Sequence, residues 1–421
     1  MKPIANIIIY VKLIRESMSF AYQSIKVNKM RTFLSLFGIT IGIFAIVSVF
    51  TVLDSLEKSI RQSLDSLGDN VVYVQKWPWS MGGSYPWWKY MNRPQPSLDD
   101  LKIIRSNSIT AQSSALQLSF RSLVEHERSS APKTIILAVT DSYEDIRSFE
   151  IESGRYFSAF DLSMGRRVAV LGYDIATELF VDVNPVGKSI KIGGYLVEVI
   201  GVVKKEGAQF GGGESHDPLV VVPANFSKLM IDFRYAGPTI MVKAKDEIPS
   251  EELMDELRGI LRAARKLKPI EDDDFALNQV STLREGIDNI FVAINLAGWI
   301  IGGFSILVGG FGIANIMFVS VKERTNIIGI QKALGAKNTF ILVQFLYESV
   351  LLSIIGGAIG LLLIFLGSLL VNSVSEFTIT LSLSNIILGI TISAVIGILS
   401  GFAPAWQASK LNPVEAINTK T

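Results

Sequence analysis

Histidine is the side chain that most often binds zinc or transfers protons near neutral pH, and this chain contains two, His126 and His216. Glu214 and Asp217 flank His216, yet neither histidine has a second histidine, a cysteine or closely spaced acids at metal-ligand spacing. No glycine-elbow motif surrounds a serine, so no Ser/His/Asp set is recognisable. We therefore expect both histidines in surface loops, and we expect no metal site, no bound cofactor and no catalytic residue in this chain.

A second chemical possibility is phosphate binding by residues 186–189 (VGKS), which match the end of a Walker A loop. That loop needs a glycine five positions before its second glycine, and Asp182 stands there. The segment is predicted instead to be a turn that leads into a strand. Since no Walker A motif occurs elsewhere in the sequence, we expect this chain not to bind ATP in that way.

Glu348 is the one charged residue within four long apolar runs. An ionisable group inside a membrane usually faces a partner or a cavity. It also lies only about eight residues, or about 12 Å, from the N-terminal end of its run, where it could reach the membrane interface. Both interpretations stay open at this point.

The four apolar runs predict transmembrane helices. The first holds twenty uncharged residues, 34–53, which is the length needed to cross a hydrocarbon core of about 30 Å. An apolar content of 49% and a mean hydropathy of +0.38 agree with a membrane protein. The predicted spans are residues 33–53, 282–320, 339–371 and 386–406.

Lys and Arg in the short loops predict the orientation, because basic residues resist translocation. They predominate in residues 1–32, a cytoplasmic amphipathic segment, in the 321–338 loop and in the 407–421 tail, whereas the 372–385 loop has none. Both termini are thus predicted to be cytoplasmic, with residues 54–281 and 372–385 outside. The first helix is expected to be a retained signal anchor. The chain has no cysteine and hence no disulfide framework.

The external region is predicted to be an α+β domain. Residues 54–291 contain 28 Lys and Arg against 34 Asp and Glu, a net charge of −6 (28 − 34), which argues against nucleic-acid binding. Helices are predicted from Ser97, an N-cap followed by acids, and from Ser250 to about Leu267. Short β-branched runs between Gly and Pro predict strands near residues 70–76, 116–125, 134–140, 167–171, 188–192, 196–203, 218–222 and 239–244.

The region divides into two parts. Residues 149–233 are richer in short strands and turns, and the simplest arrangement inserts them into an outer fold made of residues 69–148 and 234–281. Thr282 and Glu285 form a predicted capping box, from which helical pattern continues to about Val321. Such a helix is about 60 Å long, twice the hydrocarbon thickness, so it is predicted to continue outside as a stalk. The alternative is two helices with a break near Gly286.

Two further features are less specific. Tryptophans and tyrosines crowd residues 77–90, where they could contact the outer membrane surface, a partner protein or an apolar substrate, or could pack the loop onto its domain. Small residues four apart favour close helix packing, which would also suit a dimer, at Gly38, Gly42, Gly356 and Gly360.

The loop of residues 322–337 (KERTNIIGIQKALGAK) is the most specific stretch. On a short helix, Ile327, Ile328, Ala333 and Leu334 are predicted to face one way, with the polar side chains elsewhere. A short amphipathic helix inside the cell is suited to docking in a groove.

The loop and its surroundings resemble the MacB/FtsX-like family of ABC transporter permeases. The resemblance is carried by residues 320–337 (SVKERTNIIGIQKALGAK) and 344–348 (QFLYE), followed by Gly356 and Gly357. Further matches, in family order, are residues 28–35 (NKMRTFLS), 153–157 (SGRYF), 168–172 (VAVLG), 184–188 (NPVGK), 200–202 (IGV), 403–405 (APA) and 411–416 (LNPVEA).

The resemblance implies a type VII half-transporter with four helices, a Porter-like part (69–148 and 234–281) and an inserted Sabre-like part (149–233). It implies an inner-membrane, dimeric permease of identical or paralogous copies, whose partner ATPase binds ATP and Mg²⁺ and is expected to be a separate chain. Motion would pass mechanically from that ATPase to the periplasm. The residues of this chain that would couple it to the ATPase are Glu323, Arg324, Ile327, Ile328, Gly329, Lys332, Ala333, Leu334 and Gly335.

Export of a drug, peptide or similar compound, with a periplasmic adaptor and outer-membrane duct, is the function that the resemblance favours. The alternatives are an FtsX-like complex that controls a cell-wall hydrolase and a Lol-type complex that releases lipoproteins. FtsX-type external domains are smaller than the one predicted here, which favours export. The sequence does not identify the substrate.

Overall fold

The computed structural model describes residues 29–418 except 66, 69, 80–84, 148, 182, 208–214 and 375–377. Most of the predicted N-terminal amphipathic segment, 1–32, therefore lies outside the described residues. The chain forms two compact units, Met1–Leu56 with Phe291–Thr421, and Glu57–Ile290.

The helices in chain order are α1 (Lys29–Asp65), α2 (Trp87–Tyr90), α3 (Leu98–Asn107), α4 (Tyr143–Ile146), α5 (Ala159–Met164), α6 (Tyr173–Leu179), α7 (Ala224–Ser227), α8 (Ser250–Ala264), α9 (Val280–Glu323), α10 (Thr325–Ala333), α11 (Asn338–Val374), α12 (Leu383–Ser409) and α13 (Pro413–Asn418). The strands are β1 (Val71–Gln75), β2 (Ala111–His126), β3 (Ser129–Val139), β4 (Ile151–Gly154), β5 (Val168–Leu171), β6 (Ser189–Ile192), β7 (Tyr195–Val203), β8 (Leu219–Pro223), β9 (Thr239–Ala244) and β10 (Ala276–Gln279).

Four helices are long and apolar enough to cross a membrane: Leu36–Asp65, Val280–Glu323, Asn338–Val374 and Leu383–Ser409. They confirm the prediction of four membrane helices beside a domain that mixes helices and strands. Within the first unit, side chains of α1 pack with those of α9, α11 and α12 around Ile43, Val47 and Phe345.

The helix α9 is continuous over 44 residues, which at 1.5 Å each is about 66 Å. The predicted long helix is thus confirmed, and the alternative break near Gly286 is absent. The predicted capping box is wrong, because α9 begins directly after β10 and Thr282 already lies inside the helix.

In the second unit, the ends of α1 and α9 are joined by two ion pairs. The Arg61 guanidinium lies 2.6 Å from an Asp288 carboxylate oxygen. The Arg284 guanidinium lies 2.6 Å from an Asp65 carboxylate oxygen. These pairs are partly exposed, so each contributes little free energy of folding by itself, but they align the two helical segments.

The strands form one sheet in the order β10-β1-β9-β2-β3-β8-β5-β7-β4, with β6 paired to β2 and β7. Strands from residues 71–139 and 239–279 share one half of the sheet, and those from 151–223 share the other. The halves meet where β3 runs parallel to β8 and where β2 pairs with β6. This order matches a middle piece inserted into an outer fold; the assignment of the two parts as Porter-like and Sabre-like stays a prediction.

Helices α3 and α8 are held together by charged groups. Ser97 caps α3 in a capping box with Asp100, as its N-cap position predicts. Arg265, which follows α8, donates to the carboxylates of both Asp100 and Asp274 at 3.0 Å. Three leucines at helical spacing bury the inner face of α8. The helix ends at Ala264, three residues before the predicted end.

Candidate functional site

The short helix α10 is delimited by local hydrogen bonding. At its start, the hydroxyl of Thr325 donates to the carbonyls of Val321 and Lys322. At its end, Gly335 adopts a φ of +98°, its amide donates to the Lys332 carbonyl, and the amide of Ala336 donates to the Gln331 carbonyl. These bonds are those of a Schellman motif, which favours glycine at the left-handed position. The chain is therefore turned sharply on both sides of α10.

One side of α10 is packed against the C-terminal helix α13. Ile328 and Gly329 are buried, and Gly329 lies on this side. A methyl group at Gly329 would lie 2.9 Å from the Ala416 Cβ and 3.1 Å from the Ile417 backbone nitrogen. Glycine at this position thus permits an approach that any side chain would obstruct.

Lys332 fastens α10 to the end of α12. Its ammonium group donates to the Ser409 carbonyl at 2.8 Å and to the Leu411 carbonyl at 2.6 Å. The last carbonyls of a helix lack partners within the helix and carry partial negative charge. The lysine satisfies two acceptors there, so it anchors α10 and is not the free surface cation that its type suggests.

The outward side of α10 is apolar. Ile327 is 51% exposed, Ile330 is 48% exposed and Leu334, just after the helix, is 84% exposed. They lie at positions i, i+3 and i+7, which is the spacing of one helix face. Glu323 and Ala333 are also exposed. We call Ile327, Ile330 and Leu334 the exposed apolar face.

The predicted grouping of apolar residues on this loop is partly wrong. Ile327 and Ile328 are about 100° apart around a helix, so Ile328 is buried while Ile327 faces outward. Ile330 takes the place that was predicted for Ile328. The i+3 spacing from Ile327 is the signal that identifies it.

Glu348 has a partner from the loop. Its carboxylate lies 3.2 Å from the Arg324 guanidinium, and its side chain is 5% exposed. Of the two interpretations left open by the sequence, the structure supports the one in which the carboxylate faces a partner. Two residues predicted separately, Arg324 and Glu348, are therefore brought together.

Three of the four helix-packing glycines lie at close helix contacts. A methyl group at Gly42 would lie 3.0 Å from the Ser305 carbonyl oxygen of α9. At Gly356 it would lie 2.9 Å from the Ile39 Cγ2, and at Gly360 3.1 Å from the Thr40 carbonyl oxygen of α1. Among the described residues, Gly38 has no neighbour at that distance.

Neither histidine lies in an exposed surface loop, the position that the sequence predicts for both. His216 is buried: its ring nitrogens lie 3.1 Å from a Glu206 carboxylate oxygen and 3.0 Å from the Tyr143 hydroxyl. Burial raises the pKa of Glu206, but hydrogen bonds from His216 outweigh burial, and the pKa lies below its ordinary value. His126 ends β2, with its ring 4.0 Å from that of Phe180. The surface-loop prediction is thus wrong.

The two remaining candidates for chemistry are the 186–189 segment and a metal site. Gly187 has a φ of +81°, and the amide of Lys188 donates to the Pro185 carbonyl, so the predicted turn into β6 is present. Across the part of the chain that the structure describes, no three His, Cys, Asp or Glu residues are grouped so as to hold a metal ion.

Two family models match the chain. A MacB-like periplasmic core domain matches residues 32–260, and an FtsX-like permease C-terminal domain matches residues 299–413. The first match includes most of the unit Glu57–Ile290, and the second includes most of the segment Phe291–Thr421.

Similar full-length proteins include macrolide export ATP-binding/permease protein MacB of Bdellovibrio bacteriovorus, 31% identical over 96% of this chain, and that of Neisseria gonorrhoeae, 32% identical over 96%. This chain spans about 60% of the length of those relatives. The Uncharacterized ABC transporter permease YknZ of Bacillus subtilis is 30% identical over 96% of this chain and 98% of its own length.

A solved structure, the periplasmic region of MacB from Actinobacillus actinomycetemcomitans, is 19% identical and covers 55% of this chain and 98% of its own, with a TM-score of 0.44.

Proposed function

The chain belongs to the MacB/FtsX-like family of ABC transporter permeases, and on that premise we propose that it is the membrane subunit through which an ATPase drives its extracytoplasmic domain. The observation that carries the proposal is the exposed apolar face of α10, held on a helix whose other side is anchored. An apolar face that stays uncovered within its own chain is suited to a partner's groove.

The contacts that α10 makes with neighbouring helices determine which elements would move if a partner displaced it. The Arg324–Glu348 ion pair joins its start to α11, and Lys332 joins it to the end of α12. Arg324 also follows directly on α9, which runs without interruption from Val280 to Glu323. A displacement of α10 by the partner would therefore move α9, and with it the strand β10 that immediately precedes α9.

The partners follow from this mechanism. ATP and Mg²⁺ would bind to the partner ATPase. The permease would act as a dimer of identical or paralogous copies in the bacterial inner membrane. Both termini and α10 would be cytoplasmic, and Glu57–Ile290 would be periplasmic.

The transported compound is proposed only by class. The MacB relatives carry macrolide export in their names, and this supports export of a drug, peptide or similar compound with a periplasmic adaptor and outer-membrane duct. The inserted strands β4 to β8 enlarge the external domain, which favours export over an FtsX-like hydrolase regulator or a Lol-type lipoprotein release complex.

The proposal is tested by purifying the chain from its native membranes and identifying the proteins that accompany it. We expect an ATPase with a Walker A motif to co-purify with the wild type and to be lost from the Leu334→Asp variant, because a carboxylate would then enter an apolar groove. Ile109→Asp is the matched control, since Ile109 is exposed in the external domain. If no ATPase accompanies the wild type, or if Leu334→Asp retains it fully, the proposal fails.

A further inference from the structure

An open groove of about 1180 Å³ lies in the unit Glu57–Ile290, between residues 93–98 on one wall and 228–235 on the other. The first wall leads into α3 and the second follows α7. Ligand pockets for drug-sized molecules measure about 300–1,000 Å³. The groove is therefore large enough for a bulky molecule.

The groove has the opposite charge to the region that contains it. Its lining includes the cations Lys76, Arg93, Lys228 and Arg234 and the single carboxylate Asp232, a net charge of +3 (4 − 1). Residues 54–291 as a whole carry −6 (28 − 34). A cleft lined by one sign of charge concentrates ligands of the opposite sign, so the charge of this groove favours anionic ligands.

Three of these cations are held in place without being neutralised. The Arg93 guanidinium lies 4.5 Å from the centre of the Tyr90 ring, and the Lys76 ammonium 5.5 Å from that of Trp77. Lys228 donates to the neutral amide oxygen of Asn225 at 2.8 Å. Among the described residues no carboxylate forms a salt bridge with any of the three, whereas Arg234 pairs with Asp232.

These contacts also assign a role to the aromatic residues Trp77, Tyr85 and Tyr90. The rings of Trp77 and Tyr90 pack on each other at 6.4 Å, and Tyr85 packs on Tyr90 at 5.4 Å. Cation–π contacts orient a cation and leave its positive charge available to a ligand. The aromatic cluster thus supports the cationic wall of the groove.

The opposite wall is apolar as well as cationic. Leu229 is 57% exposed and Tyr235 is 84% exposed, and both line the groove. Exposed apolar side chains beside uncompensated cations match a ligand that has an apolar body and an anionic group.

We propose that this groove binds a bulky amphipathic anion, a carboxylate, sulfonate or phosphate whose charge lies between Arg93 and Lys228 and whose apolar body covers Leu229 and Tyr235. Only the idea that this anion is the transported compound rests on the proposed function. Binding itself is measured without any ATPase.

The test uses the full chain in phosphatidylcholine nanodiscs, titrated with 8-anilinonaphthalene-1-sulfonate and, as its uncharged counterpart, N-phenyl-1-naphthylamine, with empty nanodiscs subtracted. The variant Arg93→Gln/Lys228→Gln removes two charges from the groove. The control Lys188→Gln/Lys191→Gln removes two charges from exposed positions on the same domain, outside the groove. Near-ultraviolet circular dichroism and thermal unfolding establish that each variant is folded.

We expect the groove variant to bind the sulfonate at least tenfold more weakly than the wild type. The control variant should bind the sulfonate as the wild type does, and the affinity for the uncharged dye should be the same in all three proteins. Equal sulfonate binding by both double variants, or equal loss from both, overturns the proposal. If an ATPase co-purifies normally while the groove variant binds the sulfonate as tightly as the wild type, only the groove assignment fails. If no ATPase co-purifies while the groove variant loses the sulfonate, the groove stands and the permease mechanism fails.

Discussion

Arg324 and Glu348 form an ion pair, 3.2 Å between nitrogen and oxygen, that joins the residue before α10 to the helix α11. The Glu348 side chain is almost fully buried and that of Arg324 is largely so. Taking a carboxylate out of water is costly unless a partner compensates it. The position of α10 and the burial of the Glu348 carboxylate therefore depend on each other.

Substituting Glu348→Gln should lower the free energy of unfolding by about 3–5 kcal/mol, the range for removing one partner of a buried ion pair. Thermal unfolding of the purified chain in detergent measures this. Glu285→Gln is the control, because Glu285 is exposed on α9. Similar unfolding temperatures for the two variants would contradict a supporting role for the pair.

Substituting Gly329→Ala should separate α10 from α13, since the new methyl group meets Ala416 and the Ile417 backbone. Overpacking of this kind costs about 1–3 kcal/mol. The expected result is reduced recovery of the co-purifying ATPase. Gly367→Ala, in α11 with no neighbour within 4 Å among the described residues, should leave recovery unchanged. Equal recovery from both variants would show that this contact is unimportant for coupling.

Substituting Asp161→Asn should destabilise the external domain in a pH-dependent way. Burial raises the pKa of Asp161, but hydrogen bonds from Ser158 and Arg155 outweigh burial and hold the pKa well below its ordinary range. A carboxyl with a lowered folded pKa adds stability above its unfolded pKa, about 3.9, and loses it as the pH falls toward the folded value. The variant should thus be less stable by about 1.5–3 kcal/mol at pH 7, the range for hydrogen bonds to a charged group, with a smaller difference below pH about 3.9.

Near-ultraviolet circular dichroism during heating at pH 7 and at a pH of about 3 measures that difference. Asp99→Asn is the matched control, because the Asp99 side chain is exposed and its pair with Lys102 lies on the surface. A stability difference for Asp161→Asn that is the same at both pH values would disprove the assigned linkage.

Substituting Gly286→Pro should interrupt α9 and uncouple the external domain from the partner. Proline inside a helix costs about 3 kcal/mol, whereas alanine at the same position strengthens the helix. Hydrogen exchange across residues 57–290, with and without ATP, is the measurement on the purified complex. We expect the nucleotide-dependent change in the wild type and in Gly286→Ala but not in Gly286→Pro. A normal response in the proline variant would exclude transmission through a continuous α9.

The sequence predicts those parts of the fold that a local pattern determines. Long uncharged runs predict the four membrane helices, and β-branched runs predict eight of the ten described strands. The two strands missed, β4 and β10, have four residues each, and β10 follows four consecutive acids. Their strand structure comes from pairing with β7 and β1, which the local sequence does not encode.

The short helix α10 of the candidate site could be predicted from the sequence, but its contacts could not. The spacing of the loop predicts a short amphipathic helix, yet only the folded chain shows that Lys332 binds carbonyls of residues 409 and 411 or that Arg324 pairs with Glu348. The burial of His216 was not predicted, because its polar, glycine-rich neighbours suggest an exposed loop. Its burial depends on Tyr143, which is 73 residues away in the chain.

The packing of α13 beneath Gly329 changes how the end of the chain should be handled in the laboratory. Residues 413–418 support α10 directly, so a deletion from residue 413 onward would alter α10 as well as remove a tail. A purification handle or fluorescent protein placed close after residue 418 would lie near the same surface. Handles are better placed at the N-terminus or on a long C-terminal linker, and the phenotype of a C-terminal deletion reports on α10.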